Sequence, residues 1–393
     1  MNHSKIGTFE AITLILSVII THTVLSLPKA LLDSTNSATL INLIYVSILA
    51  IIFILIVCKL FKNFPGMDII DISEFLGGKI FKCIIGTIFI TYFLISSSIF
   101  LRNFCEYLRI IYYPSTSVIF LISIFIIAIC IVNSLEFNAA FKANSIITIF
   151  ALISIIFLFF ANIRYFSLQR MFPILGEGFY NTFITGIGNI YAFSGIVCIY
   201  FLPPLLKEPE KFKKIAISSV CISSAYIILA VCIILFMFPY FTKINEIIPL
   251  YAVATYVEFG SFFQRLEAIF LLIWIIAFCG YLCMASTFSI HFFRKISKTK
   301  CTKPIVVPFG LFMLGVSLIP GNYAESNFFE TEVYRFLMIG TIFILGFGIL
   351  IFANHKKNIK QEINNKWIKY LEIFLFLLYV LYYCLVLIVL ILL

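Results

Sequence analysis

Thr21-His22-Thr23 sets an imidazole between two hydroxyls inside an otherwise apolar run, Ile20 to Leu27, that ends at Pro28. An imidazole surrounded by lipid must find a partner, whether a solute, a water or a carbonyl, so the triplet suits the holding of a polar ligand. Pro28 lacks a backbone donor and frees the carbonyl one turn earlier, which opens the helix beside the histidine. A second disturbance, Ala192-Phe193-Ser194-Gly195, lies near the centre of an uncharged stretch from Gly178 to Leu206 that closes on Pro203-Pro204. Backbone N–H groups freed between Thr21 and Leu25, Thr23 and Val24 included, suit a carboxylate. Carbonyls opened from Tyr191 to Ser194 suit an ammonium. Gly195 is the point expected to let the second helix open. Two proline-kinked helices with no solute site are the alternative.

No other constellation in the sequence points to bond-making chemistry. His3, His22, His291 and His355 are far apart, no carboxylate pair shares a predicted intramembrane face, and His22 has no evident partner for a catalytic dyad. Gly186-Ile187-Gly188 lies within an apolar helix and not between a strand and a helix, which argues against a nucleotide loop. Of the 11 cysteines, the closest pair, Cys279 and Cys283, has the wrong spacing for a zinc pair, and the others read as small apolar side chains. No metal, no cofactor and no enzymatic activity are expected.

These residues must be carried by membrane helices. A chain of 393 residues that is 62% hydrophobic and 12% charged cannot be folded around one water-exposed surface. Charge-free windows give eleven spans: Ala11–Leu27, Ile41–Val57, Ile84–Leu101, Ser115–Leu135, Ala143–Ile163, Gly178–Leu206, Ile215–Phe241, Ala268–Phe293, Ile305–Tyr323, Phe336–Asn354 and Ile373–Leu393. Most reach the roughly 17–25 residues of a spanning helix, and the alternation of a barrel strand is absent. The first apolar run is longer than a signal-peptide core and has no small-x-small cleavage site, so it is expected to remain as a span. The interrupted first and sixth spans lie five apart and therefore run in opposite directions. That is the pattern of two inverted five-helix repeats, about 9–163 and 178–354, in a transporter-like bundle.

The net charge of +10 comes from basic residues in short loops, without the aromatic-laced basic patch of a nucleic-acid binder. Twenty of the 28 Lys and Arg fall in one set of alternate loops and eight in the other, which puts the N-terminus in the cytoplasm. Six of those eight are Arg, the better group for fixed ion pairs, and Arg102–Glu106 and Arg265–Glu267 are the candidate pairs.

Several motifs in order carry a resemblance: Leu25-Ser26-Leu27-Pro28, Asn63-Phe64-Pro65-Gly66, Phe172-Pro173-Ile174-Leu175-Gly176-Glu177-Gly178, Phe193-Ser194-Gly195 with Leu202-Pro203-Pro204, and Phe262-Phe263-Gln264-Arg265-Leu266-Glu267 with Trp274. Over residues 5–360 the chain resembles the membrane-embedded B subunits of bacterial spore germinant receptors, within the amino acid, polyamine and organocation transporter superfamily. The resemblance implies a ten-helix inverted-repeat core, 1–360, that senses an amino acid in the inner membrane of the spore and works with an A subunit and a lipoprotein C subunit. Two features depart from the family. Thr21 and Thr23 stand where relatives carry small glycines, and the last span, 367–393, is additional to the family's ten and is a candidate subunit contact.

An amino-acid-sized solute would then lie against Thr21, His22, Thr23, Val24, Leu25, Tyr191, Ser194 and Gly195. Ser96 and Ser97 on the third span, with Phe278 and Tyr281 on the eighth, would set selectivity. Sensing and transport both need a site of this kind and two packings of one core, so a permease working by alternating access is the second reading.

Overall fold

The computed structural model describes residues 5–134, 137–238, 247–257, 266–299 and 303–360. The expected eleventh span and Arg265 of the second ion pair lie outside these residues. Among the described residues, seven helices are long and apolar enough to cross a membrane, and three shorter apolar helices, Thr8–Val24, Val118–Asn133 and Lys303–Ser317, complete a ten-rod bundle in the expected order. The fold is an all-α multi-pass membrane bundle. Its one β feature among these residues is a parallel bridge between Ile6 and Leu206.

The bundle is apolar on its outside and carries its polar residues within. On the fifth span Ile146, Ile149, Phe150, Ile153, Phe157 and Phe160 recur at helical spacing on the exposed face, while Asn144, Ser145, Thr148 and Ser154 are buried. Lipid gives helices no hydrophobic reason to associate, so small and hydroxylated residues carry the contacts. Thr13 of the first span meets Ser145 of the fifth at 2.7 Å. The first span is central, packing on the fifth, sixth, seventh and eighth. The third packs on the eighth, ninth and tenth.

Three elements differ most in extent from the charge-free windows. The first span does not end at Leu27: it is two helices, Thr8–Val24 and Leu27–Thr35, joined through Leu25 (φ −82°, ψ −128°). Pro28 sits in the first turn of the second half, where a missing N–H is harmless, so the break falls just before it. The third span runs from Ile69 to Ile111 and bends at Gly78, whose φ of 75° is open to glycine and strained for other residues. Ahead of that bend, Asp68 caps the helix and Lys295 of the eighth span grips both Asp68 and Asp71, the latter at 2.6 Å. The tenth helix begins at Tyr323, thirteen residues before the expected Phe336. Counting only uncharged windows had cut Glu325, Glu330, Glu332 and Arg335 from it.

Candidate solute site at the broken first span

Breaking a helix leaves backbone groups that must be satisfied. At the break in the first span the Leu25 N–H still reaches the Thr21 carbonyl (3.3 Å), but the Ser26 N–H donates to Glu330 Oε1 of the tenth helix at 3.3 Å. Asn103 of the third span donates to Glu330 Oε2, and Ser326 donates to Asn103 Oδ1 at 3.2 Å. The start of the second half-helix, where a solute carboxylate was expected, therefore holds a carboxylate of the chain itself. Glu330 and Asn103 are fully buried. A carboxylate among apolar walls is costly to bury and marks a site of function by default.

His22 supplies the partner that the sequence did not reveal. Its Nε2 lies 3.8 Å from Glu330 Oε1, both side chains are fully buried, and neither ring nitrogen makes a hydrogen bond. Phe100, Tyr191 and Tyr334 surround the imidazole, with ring centres at 5.1, 5.3 and 5.3 Å. The tenth helix widens to i→i+5 winding over Phe329–Val333. One wide turn then separates Glu330 from Arg335, whose guanidinium lies 4.8 Å over the Tyr191 ring and 3.4 Å from Glu332. An anion, a cation and a box of aromatic faces thus adjoin the break. Such a box attracts ammonium groups.

The other side of the first span faces a narrow gap, too tight for a water molecule, lined by Ile20, Thr21, Val24, Phe104, Trp274, Ala277 and Phe278. Thr21 Oγ1 and Trp274 Nε1 are both buried there without hydrogen-bond partners. Phe278 stacks on Phe104 at 4.2 Å and forms its wall.

The remaining expected residues take other positions. Thr23 donates to Ile19 O at 2.7 Å, and Ser96 and Ser97 both donate to Phe93 O (3.2 and 2.6 Å), so these hydroxyls are engaged within their own helices. Tyr281 lies beside Ser96 and Ser97. Ser194 Oγ is buried without a hydrogen-bond partner. Leu25 is buried. In the sixth span, Thr185–Phe201, the non-helical residue is Phe193 (φ −95°, ψ 32°), two positions before Gly195. A Cβ on Gly195 would come within 2.5 Å of Ile15 O, so this glycine admits the first span to close backbone contact and the distortion is carried by Phe193.

Glu330, Asn103, Tyr334, Phe100 and Arg335 were missed in the sequence. The one available signal was a carboxylate at helical spacing with Ser326 and Tyr334, directly ahead of an apolar run.

Arg102 and Glu106 form the expected pair at 2.8 Å, both buried, with Arg109 on the other Glu106 oxygen at 2.9 Å. Arg102 directly precedes Asn103 on the third span, and Glu106 lies about one turn beyond it.

The spore germination protein family matches residues 5–325 of this chain. Two similar curated proteins come from Bacillus subtilis (strain 168). Spore germination protein YndE is 25% identical over 319 residues, covering 78% of this chain and 85% of the relative. Spore germination protein A2 is 23% identical over 374 residues, covering 91% and 98%. In fold, the chain is similar to a Na+-coupled sialic acid symporter solved in a substrate-bound, outward-open state, with a TM-score of 0.63 at 11% identity over 87% of this chain and 80% of the symporter.

Proposed function

On the premise that this chain belongs to the spore germination protein family, we propose that it is the germinant-sensing membrane subunit of a spore germination receptor. It binds a free amino acid or similar small solute at the broken first span and signals to partner subunits by changing its packing. The observation that carries this reading is Glu330 on the break, with His22 at 3.8 Å and no hydrogen bond on either imidazole nitrogen. Glu330 and the rings of Phe100, Tyr191 and Tyr334 attract the ammonium of the solute. Arg335, beside Tyr191, meets its carboxylate. The solute and Glu330 then exchange partners at the Ser26 N–H, which couples occupancy to the angle between the two halves of the span.

Interruptions in both the first and sixth spans favour an inverted-repeat core divided near 9–163 and 178–354. Partners in this reading are an A subunit and a lipoprotein C subunit in the spore inner membrane, with the N-terminus cytoplasmic.

Binding of free amino acids to the purified protein in nanodiscs tests the site. Glu330→Gln keeps the shape and the acceptor for Ser26, and is expected to weaken binding by about tenfold or more without loss of fold. Unchanged affinity sinks this placement. The likeness to a symporter fold supports a second reading, an amino acid permease. Saturable solute accumulation in liposomes holding the protein alone favours that reading, and binding without accumulation favours the sensor.

A further inference from the structure

At the opposite end of the bundle from Glu330, a cavity of about 670 Å³ opens between the N-terminal segment, the end of the sixth span and the end of the eighth. Its wall includes Pro203, Pro204, Leu205 and Leu206, and its rim carries Lys5, Arg294, Lys295 and Lys298. The volume lies within the roughly 300–1,000 Å³ of small-molecule sites.

The charges around it do not cancel. Lys295 is held by Asp68 and Asp71, and Asp71 is the carboxylate that lines the cavity. Two nearby carboxylates are engaged elsewhere: Glu74, which feels the field of Lys298, is bound by Lys82 at 2.6 Å, and Glu208 is bound by Lys211 at 2.5 Å. Among the described residues, Lys5, Arg294 and Lys298 make no ion pair. Basic residues at a helix C-terminus complement its dipole, and basic loops orient membrane proteins, but neither effect requires three unmatched cations to line one hollow.

Lys298 adds an independent sign. It follows the eighth span with φ 57°, a left-handed position where helices commonly place glycine, and its N–H caps the helix on Arg294 O at 2.9 Å. A lysine held in that conformation is a local strain that points to a use for its side chain.

We propose that this cavity is a binding site for a phosphate-class polyanion, whether a free phosphate compound or a lipid headgroup, held by Lys5, Arg294 and Lys298. Lys5 is carried on a segment strapped to the end of the sixth span, where Ile6 N–H donates to Leu205 O (2.8 Å) and Lys207 N–H donates to Ile6 O (2.9 Å). A bound polyanion therefore links the entry of the first span, the exit of the sixth and the end of the eighth. It favours the packing in which these three lie together. The site is separate from the solute site and does not rest on the reading of it.

The test is equilibrium binding of labelled inorganic pyrophosphate to the full chain in nanodiscs of zwitterionic lipid. Saturable binding is expected, weakened about tenfold or more by Arg294→Gln and by Lys298→Gly, and unaltered by Lys59→Gln, which removes a lysine of the same end outside the cavity. Glycine accepts the left-handed position, so Lys298→Gly keeps or raises the unfolding temperature and separates lost binding from lost fold. Repeating the measurement with phosphatidylglycerol in the nanodisc distinguishes the sources. Displacement of pyrophosphate that depends on Arg294 assigns the site to a headgroup, and undiminished binding assigns it to a free anion. Absence of binding in both lipids, or equal binding in the Arg294→Gln, Lys298→Gly double variant, overturns the proposal.

Discussion

A buried hydroxyl without a partner lowers stability by about 1–3 kcal/mol, so its presence calls for a reason. Thr21 Oγ1 is such a group, and Trp274 Nε1 is another, beside the same narrow gap. Thr21→Val keeps the shape and removes the hydroxyl. It is expected to raise stability by roughly 1 kcal/mol in thermal unfolding while weakening solute binding, and a loss of stability would show that the hydroxyl has a structural partner after all. The reverse holds for Arg102. Its removal leaves Glu106, fully buried, with only the partly exposed Arg109, so Arg102→Met is expected to cost about 3 kcal/mol in the unfolding of the detergent-solubilised protein. Removing one partner of a buried pair costs more than the pair itself contributes.

Each distorted helix owes its shape to a neighbour as well as to its own residues. Pro28 forbids a continuous first span, but the position of the break is stabilised from the tenth helix, through Glu330 on the Ser26 N–H. The sixth span is bent at Phe193 and pressed on the first at Gly195, where even one methyl meets the Ile15 carbonyl. Gly195→Ala is therefore expected to destabilise by roughly 1–3 kcal/mol, and Gly195→Leu by more, read as the unfolding temperature in detergent. Wild-type stability for Gly195→Leu would mean the two spans are not in backbone contact. The wide turn at Phe329–Val333 is the third such device, since it places Glu330 and Arg335 one turn apart beside Tyr191 and His22.

The bundle as a body has a basic end and an end marked by Arg–Glu pairs. The excess of basic residues at the first end predicts a cytoplasmic location for it by the positive-inside rule, and labelling tests that. Lys62→Cys is expected to be shielded from a membrane-impermeant maleimide in intact cells, and Arg164→Cys to be labelled. The opposite pattern would invert the orientation. Two packings of one core, open at one end or the other, would move the solute site and the basic cavity in concert, because the eighth span lines both, the chain leaving the sixth span borders the cavity, and the segment leading into the first span carries Lys5.

Composition and periodicity were enough for the membrane setting, the order of ten helices and the interruption of the first and sixth, because each is a local property: twenty apolar residues, a proline, a glycine beside a serine. His22 and Thr21 were legible for the same reason, as polar groups inside apolar runs. Glu330 was not. A charge within a span is discarded by any count of uncharged windows, and its meaning depends on Ser26, 304 residues away, and Asn103, 227 residues away. Only folding could show that the broken helix already holds a carboxylate, that Ser96 and Ser97 face their own backbone, and that Gly195 lies against the backbone of the first span. Helices announce themselves through neighbours in the chain, whereas a site is made by groups that meet only when the rods pack.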